Sequence, residues 1–263
     1  MKHALCFLLL TISPMHTQPL PGCGSSADSV WTRVFGTSRY PGSDIVCIVY
    51  KRQMIFEVHA CGPEGELRRV ARFPVCAIPD GLGPKRRAGD NMTPEGIYNI
   101  DALNPRSAYH LSMHVDYPNA SDRLLGERGN LGGDIYVHGK CCTIGCIAMG
   151  DETIEQLYRL AERAMKRGQR KIPLYIFPDS DYRQTLLLAQ AVRGQSERSD
   201  GKQAPSRGGT CMSSLAAFWE ALAEIQEELI ERKRIPAVVL DSRKLFVPKH
   251  RLSAKPPGDP PVE

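Results

Sequence analysis

Residues 135–149, IYVHGKCCTIGCIAM, constrain this chain more than any other stretch. An apolar run breaks at Gly139, resumes after Gly145, and leads to Asp151, a good N-cap for a helix. Behind it Ile154, Leu157, Tyr158, Ala161, Ala164 and Met165 recur at helical spacing, and Gly168 stops the pattern. The stretch therefore reads as a strand end, a tight loop and, just beyond, a helix start. Gly139 and Gly145 let the backbone take positive φ or approach a neighbour closely. His138 and Cys146 face each other across that loop in sequence, and a thiol needs a nearby base or positive charge to become a thiolate at neutral pH. The pattern points to a cysteine nucleophile with a histidine base.

Residue types alone leave two other readings open. A cysteine is often a small buried apolar residue, and a histidine often a satisfied polar group. His138, Cys141, Cys142 and Cys146 also form a candidate zinc cluster. Adjacent cysteines suit a tetrahedral site poorly, however, and no second closely spaced ligand pair follows.

The run HGKCCTIGCIAM resembles the active-site signature of the YkuD-type L,D-transpeptidase catalytic domains, most closely their YafK-like branch. GPKRRAGDNMTPEGIY from Gly83, LSMHVDYPNASDR from Leu111 and FWEAL from Phe218 extend the match in order. The resemblance implies a mixed α/β, sheet-rich catalytic fold, sandwich-like or barrel-like, with packing helices and a C-terminal helical extension. It implies stem peptides of bacterial peptidoglycan as substrate, cleaved at the bond from an L centre to D-alanine. Cys146 would carry the acyl group as a thioester and His138 would be its base. Backbone N–H groups of Gly145 and Cys146 would hold the oxyanion, within a loop shaped by Gly139 and Thr143. An amine of another peptide or protein, or water, would then take the acyl group, so a wall-attached lipoprotein is also a candidate partner. No metal or organic cofactor is required. The chain departs from the general family pattern at Ala148, where an arginine is usual, and carries Thr143 where serine is frequent. Loss of that guanidinium implies a donor or acceptor different from that of crosslink-forming members.

The apolar stretch 4–12 behind Lys2 is too short to span a bilayer and suits a secretory signal, assigned to residues 1–22. The chain is thus expected in the periplasm or cell envelope. Leu20-Pro21-Gly22-Cys23 faintly resembles a lipoprotein processing site, which makes Cys23 a candidate lipid anchor. Residues 23–42 read as a linker, 43–178 as the catalytic domain, and 179–248 as its extension. Within the extension, 194–209 is rich in Ser, Gly, Gln and charge and reads as a disordered insertion; 249–263 reads as a disordered tail.

Inside the catalytic region, strands are expected at 45–50, 54–61, 70–78, 97–100, 109–117 and 172–177. Helices are expected near 182–192 and from Ser213 or Ser214 onward. Alternation over 109–117 puts His110 and His114 on one face. The Gly- and Pro-rich loop 79–95 offers Lys85, Arg86 and Arg87 as cations for a substrate carboxylate. Lys85, Tyr117 and Asn119 are the candidate cleft residues. A net charge of only +5, without a basic helix or aromatic-interleaved basic run, gives no sign of nucleic-acid binding. Nine cysteines are too many, and too strand-embedded, to assign pairs from sequence.

Overall fold

The structure is a computed structural model that describes residues 44–62, 65–198 and 212–253. The expected signal, Cys23 and linker, and the part of the tail beyond Ser253, lie outside the described residues. Among the described residues no helix is long and apolar enough to cross a membrane.

Strand β1 (Ile45–Tyr50) is buried at every position. Its continuous apolar run is what a strand covered on both faces requires. Ile45, Cys47 and Val49 enter one core, and Val46, Ile48 and Tyr50 enter a second. β2 (Ile55–Cys61) and β3 (Leu67–Pro74) follow antiparallel, the latter ending at its proline because a strand interior cannot spare the lost donor. β8 (Ile172–Phe177) lies between β1, to which it runs parallel, and β4 (Gly96–Ser107), to which it runs antiparallel. β5 (His110–Val115), β6 (Ile135–His138) and β7 (Ile147–Ala148) complete the order β3-β2-β1-β8-β4-β5-β6-β7.

The two ends of that order meet. The chain just after β3 bonds to β7 through Cys76 N–H to Ala148 O (2.7 Å) and Ala148 N–H to Ala77 O (3.0 Å). A Cys76–Cys141 disulfide fastens the same junction to the loop after β6. The sheet therefore curls onto itself, which is the barrel-like form of the expected fold.

Helix α2 (Asp151–Lys166) adds Ile154, Leu157 and Ala161 to the first core. Asp151 is not its N-cap as expected: Gly150 holds that position at φ 77°, and the Asp151 carboxylate instead accepts the Lys140 N–H (2.7 Å). Helices α3 (Tyr182–Arg198) and α4 (Met212–Ile230) cover the second core, where Phe218, Trp219, Leu222 and Ile225 pack on Tyr175 and Phe177. Two helices enter the edges of ranges expected to be disordered. α3 continues to Arg198, inside the range 194–209, whose remaining residues 199–209 lie outside the described residues, and α5 (Lys249–Ser253) occupies the start of the expected tail. The second helix is anchored by Lys249 N–H to Ala237 O (2.7 Å) and by His250 facing Glu228 at 3.4 Å. The hairpin β9 (Val238–Leu240) and β10 (Phe246–Pro248) leads into it.

The short helix α1 (Ala120–Leu125) carries a buried carboxylate. Asp122 accepts from Tyr98 Oη (2.8 Å), Arg86 Nη1 (3.2 Å) and the Asn119 N–H (3.1 Å). Burial outweighs these partners and raises its pKa to about 6. The folded state then binds more protons than the unfolded chain between about pH 4, the ordinary carboxylate value, and pH 6. Stability from this group is present below that window and lost as pH rises through it. Urea denaturation of wild type and Asp122→Asn across pH 4 to 6 should show the wild type losing stability relative to the variant, by about 3 kcal/mol in all.

Candidate active site

The parallel pairing of β6 with β7 aligns Val137 with Ile147 and His138 with Ala148. Cys146, immediately before β7, therefore stands beside Tyr136. Its sulfur accepts the Tyr136 N–H (3.4 Å) and its thiol points to Asp134 O (3.5 Å). Val137 and Ile147 are buried in the first core, so the strand pleat sends Tyr136, His138 and Cys146 to the opposite face. β5 widens this face by placing Ser112 beside His138 and His114 beside Tyr136. The Tyr109 ring, half-exposed, lies 4.6 Å from that of His138. No hydrogen bond joins the His138 ring to the Cys146 sulfur among the described residues; such contacts commonly tighten only when substrate binds.

His138 Nδ1 lies 2.5 Å from Gly139 O. A carbonyl oxygen only accepts, so the proton resides on Nδ1 and Nε2 keeps its lone pair. Burial lowers the His138 pKa, and the Gly139 carbonyl only partly opposes it. Burial also pushes the Cys146 thiol up; the Tyr136 N–H and Lys85 pull it down, while Asp134 adds to the rise. The resting pair is thus a neutral thiol and a neutral imidazole, with the imidazole competent as a general base.

The loop between them is held from several sides. A Cβ on Gly139 would sit 2.6 Å from Tyr109 O and 2.8 Å from Asp151 Oδ1, so only glycine fits. Lys140 takes φ 54° and its Nζ donates to Ala108 O (2.7 Å). Cys141 is engaged with Cys76, which removes a thiolate from the zinc alternative, and Cys142 is exposed and free. Thr143 Oγ1 donates to Cys146 O (2.9 Å) and accepts the Gly145 N–H (3.1 Å). That last bond occupies one of the two expected oxyanion donors and leaves the Cys146 N–H as the other. Buried Thr93 donates to Gly145 O (2.9 Å), a role that its place in the MTPEG segment did not reveal.

Two of the three expected cleft residues, Tyr117 and Asn119, have internal partners. Tyr117 is buried, and its hydroxyl donates to Leu131 O (3.1 Å) and Lys85 O (3.3 Å). Asn119 caps α1 and donates from Nδ2 to Ile97 O (3.0 Å). Both therefore brace neighbouring loops, since a polar group removed from water must find an internal partner. Lys85 does approach Cys146 closely enough to act on it, but its buried ammonium is paired with Asp90 (2.5 Å) and Arg87 O (2.9 Å). Arg86 is likewise spent on Asp122, whereas Arg87 is half-exposed. His110 and His114 each have their own carboxylate, Glu155 (2.8 Å) and Asp101 (2.6 Å), and do not form a shared pair. Among the described residues no group of three or more His, Cys, Asp or Glu is placed to hold a metal. Ala148 is fully buried and locked into the sheet junction.

A family model, the YkuD L,D-transpeptidase catalytic domain, matches residues 44–176, and the chain belongs to that family. A relative from Escherichia coli K12, "Putative L,D-transpeptidase YafK", is 29% identical over 179 residues, covering 67% of this chain and 70% of the relative. Among solved structures, the helical cell shape determining protein Pgp2 of Campylobacter jejuni is 17% identical with a TM-score of 0.41, covering 82% of this chain and 80% of Pgp2. Bd1075 of Bdellovibrio bacteriovorus is 20% identical with a TM-score of 0.38, covering 76% and 78%.

Two outcomes follow from this geometry. Peptide-resolved alkylation of Cys146 by iodoacetamide should keep rising with pH past the ordinary thiol range; a plateau near neutrality would indicate a preformed thiolate–imidazolium pair instead. Gly139→Ala should cost about 1–3 kcal/mol in urea denaturation, as expected for overpacking against fixed backbone.

Proposed function

We propose that this chain is a cysteine-nucleophile L,D-transpeptidase acting on peptidoglycan stem peptides. The observation that carries the proposal is His138, held through Nδ1 by Gly139 O so that Nε2 keeps its lone pair, on the same sheet face as Cys146. His138 Nε2 takes the thiol proton as Cys146 Sγ attacks the carbonyl carbon of the bond to D-alanine. The Cys146 N–H donates to the oxygen as it gains charge. Collapse breaks the C–N bond, the leaving D-alanine amine receives the proton from His138, and a thioester remains. An incoming amine then gives a proton to His138, attacks the thioester and regenerates the thiol. Export by segment 1–22 and residence in the cell envelope accompany this reading; a lipid anchor at Cys23 would be marked by metabolic labelling with a palmitate analogue.

A second reading, in which water resolves the thioester and the enzyme releases a peptide or a wall-attached lipoprotein, draws on Ala148. A buried methyl group at that position supplies no guanidinium for a carboxylate.

Incubation with disaccharide tetrapeptide, followed by intact-protein mass spectrometry and D-alanine measurement, separates the readings. Wild type should show an acyl adduct and release D-alanine, Cys146→Ala should show neither, and His138→Gln should slow release about 100-fold or more. Crosslinked dimers indicate transfer, and tripeptide alone indicates hydrolysis. Absence of adduct and turnover, on this substrate and on protein-linked muropeptides alike, would refute the proposal.

A further inference from the structure

The Gly145–Cys146 peptide unit is held from below by a run of buried polar groups that reaches the C-terminal extension. Thr93 Oγ1 donates to Gly145 O (2.9 Å). The Thr93 carbonyl accepts from Lys51 Nζ (3.0 Å), and the same ammonium donates to Glu95 Oε1 (3.0 Å). Glu95 Oε1 also accepts the Gly83 N–H (2.7 Å), and its Oε2 accepts Trp219 Nε1–H (2.8 Å). Thr93, Lys51, Glu95 and Trp219 are all buried, Thr93 and Glu95 completely. Trp219 lies on α4, outside the residues 44–176 that match the family model.

A trans peptide is planar, so its C=O and the following N–H point in opposite directions. The hydroxyl that fixes Gly145 O therefore also fixes where the Cys146 N–H points. With the Gly145 N–H occupied by Thr143, that single donor is the one whose aim matters at the reacting carbon. We infer that Thr93, kept in place by Lys51, Glu95 and the α4 residue Trp219, is the positioning residue that aims the Cys146 N–H at the oxyanion. The inference rests on the nucleophile assignment above and adds a requirement for α4. It differs from mere support of the fold because it predicts a defect confined to steps that build negative charge on oxygen.

Two reactions of the same sulfur discriminate. Acylation by 4-nitrophenyl acetate forms an S–C bond through a tetrahedral oxyanion, passes the thiol proton to His138 and expels 4-nitrophenolate. Alkylation by iodoacetamide displaces iodide and builds no oxyanion. In Thr93→Val, acylation of Cys146 should fall about tenfold or more, because small misplacements of a donor are costly in rate, while alkylation stays within about twofold. Thr93→Ser restores acylation. Trp219→Phe falls in the same direction, and the double variant Thr93→Val/Trp219→Phe loses less than the product of the two single losses, since both act through one peptide unit. Equal acylation in folded Thr93→Val and wild type would overturn the inference. So would parallel loss of both reactions without recovery in Thr93→Ser, or wild-type acylation of Cys146 no faster than that of exposed Cys142. If Trp219→Phe fails to fold, the threonine pair still decides. Wild type that is acylated by the ester but leaves muropeptides untouched would sink the substrate proposal and leave this one standing.

Discussion

Everything at the reacting face depends on a two-residue strand. Ile147–Ala148 is β7, bonded on one side to β6 and on the other to the chain beyond β3. Two residues of ladder would be too few to hold a strand in isolation. They suffice here because Ile147 fills the core, Ala148 closes the curl of the sheet, and the Cys76–Cys141 disulfide limits how far the junction can open. The register of that strand decides the side on which Cys146 emerges. A slip by one residue would send the sulfur into the first core and Ile147 out onto the histidine face. Placement of Cys146 and sheet closure are thus one structural event.

The loop 79–95, which composition alone marks as a mobile surface segment, is instead organised by buried charge. Asp90 gathers the Lys85 ammonium and the backbone N–H groups of Arg86, Arg87 and Met92; burial pushes its pKa up, but these bonds together hold it below the usual carboxylate value. Glu95 and Asp122 tie the loop and the strand it enters to α4 and α1. Groups removed from water at this cost remain in place only if their partners do, so the loop has few alternative arrangements. Helix α4 is thereby tied, through Trp219 and Glu95, to the loop that passes beneath the sulfur.

The strand-loop-helix unit around Cys146 was legible because Gly139, Gly145 and the stripe behind Asp151 state it locally. Central strands β1 and β8 were legible for the same reason: continuous apolar runs have few other uses. Order information that travels between distant residues was not legible. Cys76 meets Cys141 only because the sheet curls, and Thr93 meets Gly145 only because the loop crosses beneath the reacting segment. Tyr117 and Asn119 could be named from the sequence but their internal partners could not, because a tyrosine or asparagine has the same appearance there whether it meets a ligand or braces a backbone. Asp151 misled by one position: its carboxylate does satisfy a backbone donor, but in the loop that His138 opens and not at its own helix end.

The state of the resting site follows from the same packing. Burial disfavours charge on both the imidazole and the thiol, and the Asp134 carbonyl and carboxylate beside the sulfur give a thiolate no welcome. The Tyr136 N–H and the Lys85 ammonium act in the opposite direction but do not reverse the balance. A thiol so held is a poor target for stray electrophiles and oxidants, which react with the thiolate. In the proposed mechanism, proton transfer to His138 is coupled to the approach of a carbonyl whose developing charge the Cys146 N–H would meet. Low intrinsic reactivity and the proposed catalysis are compatible on this face, because that mechanism asks for a rigid donor and moves only a single proton.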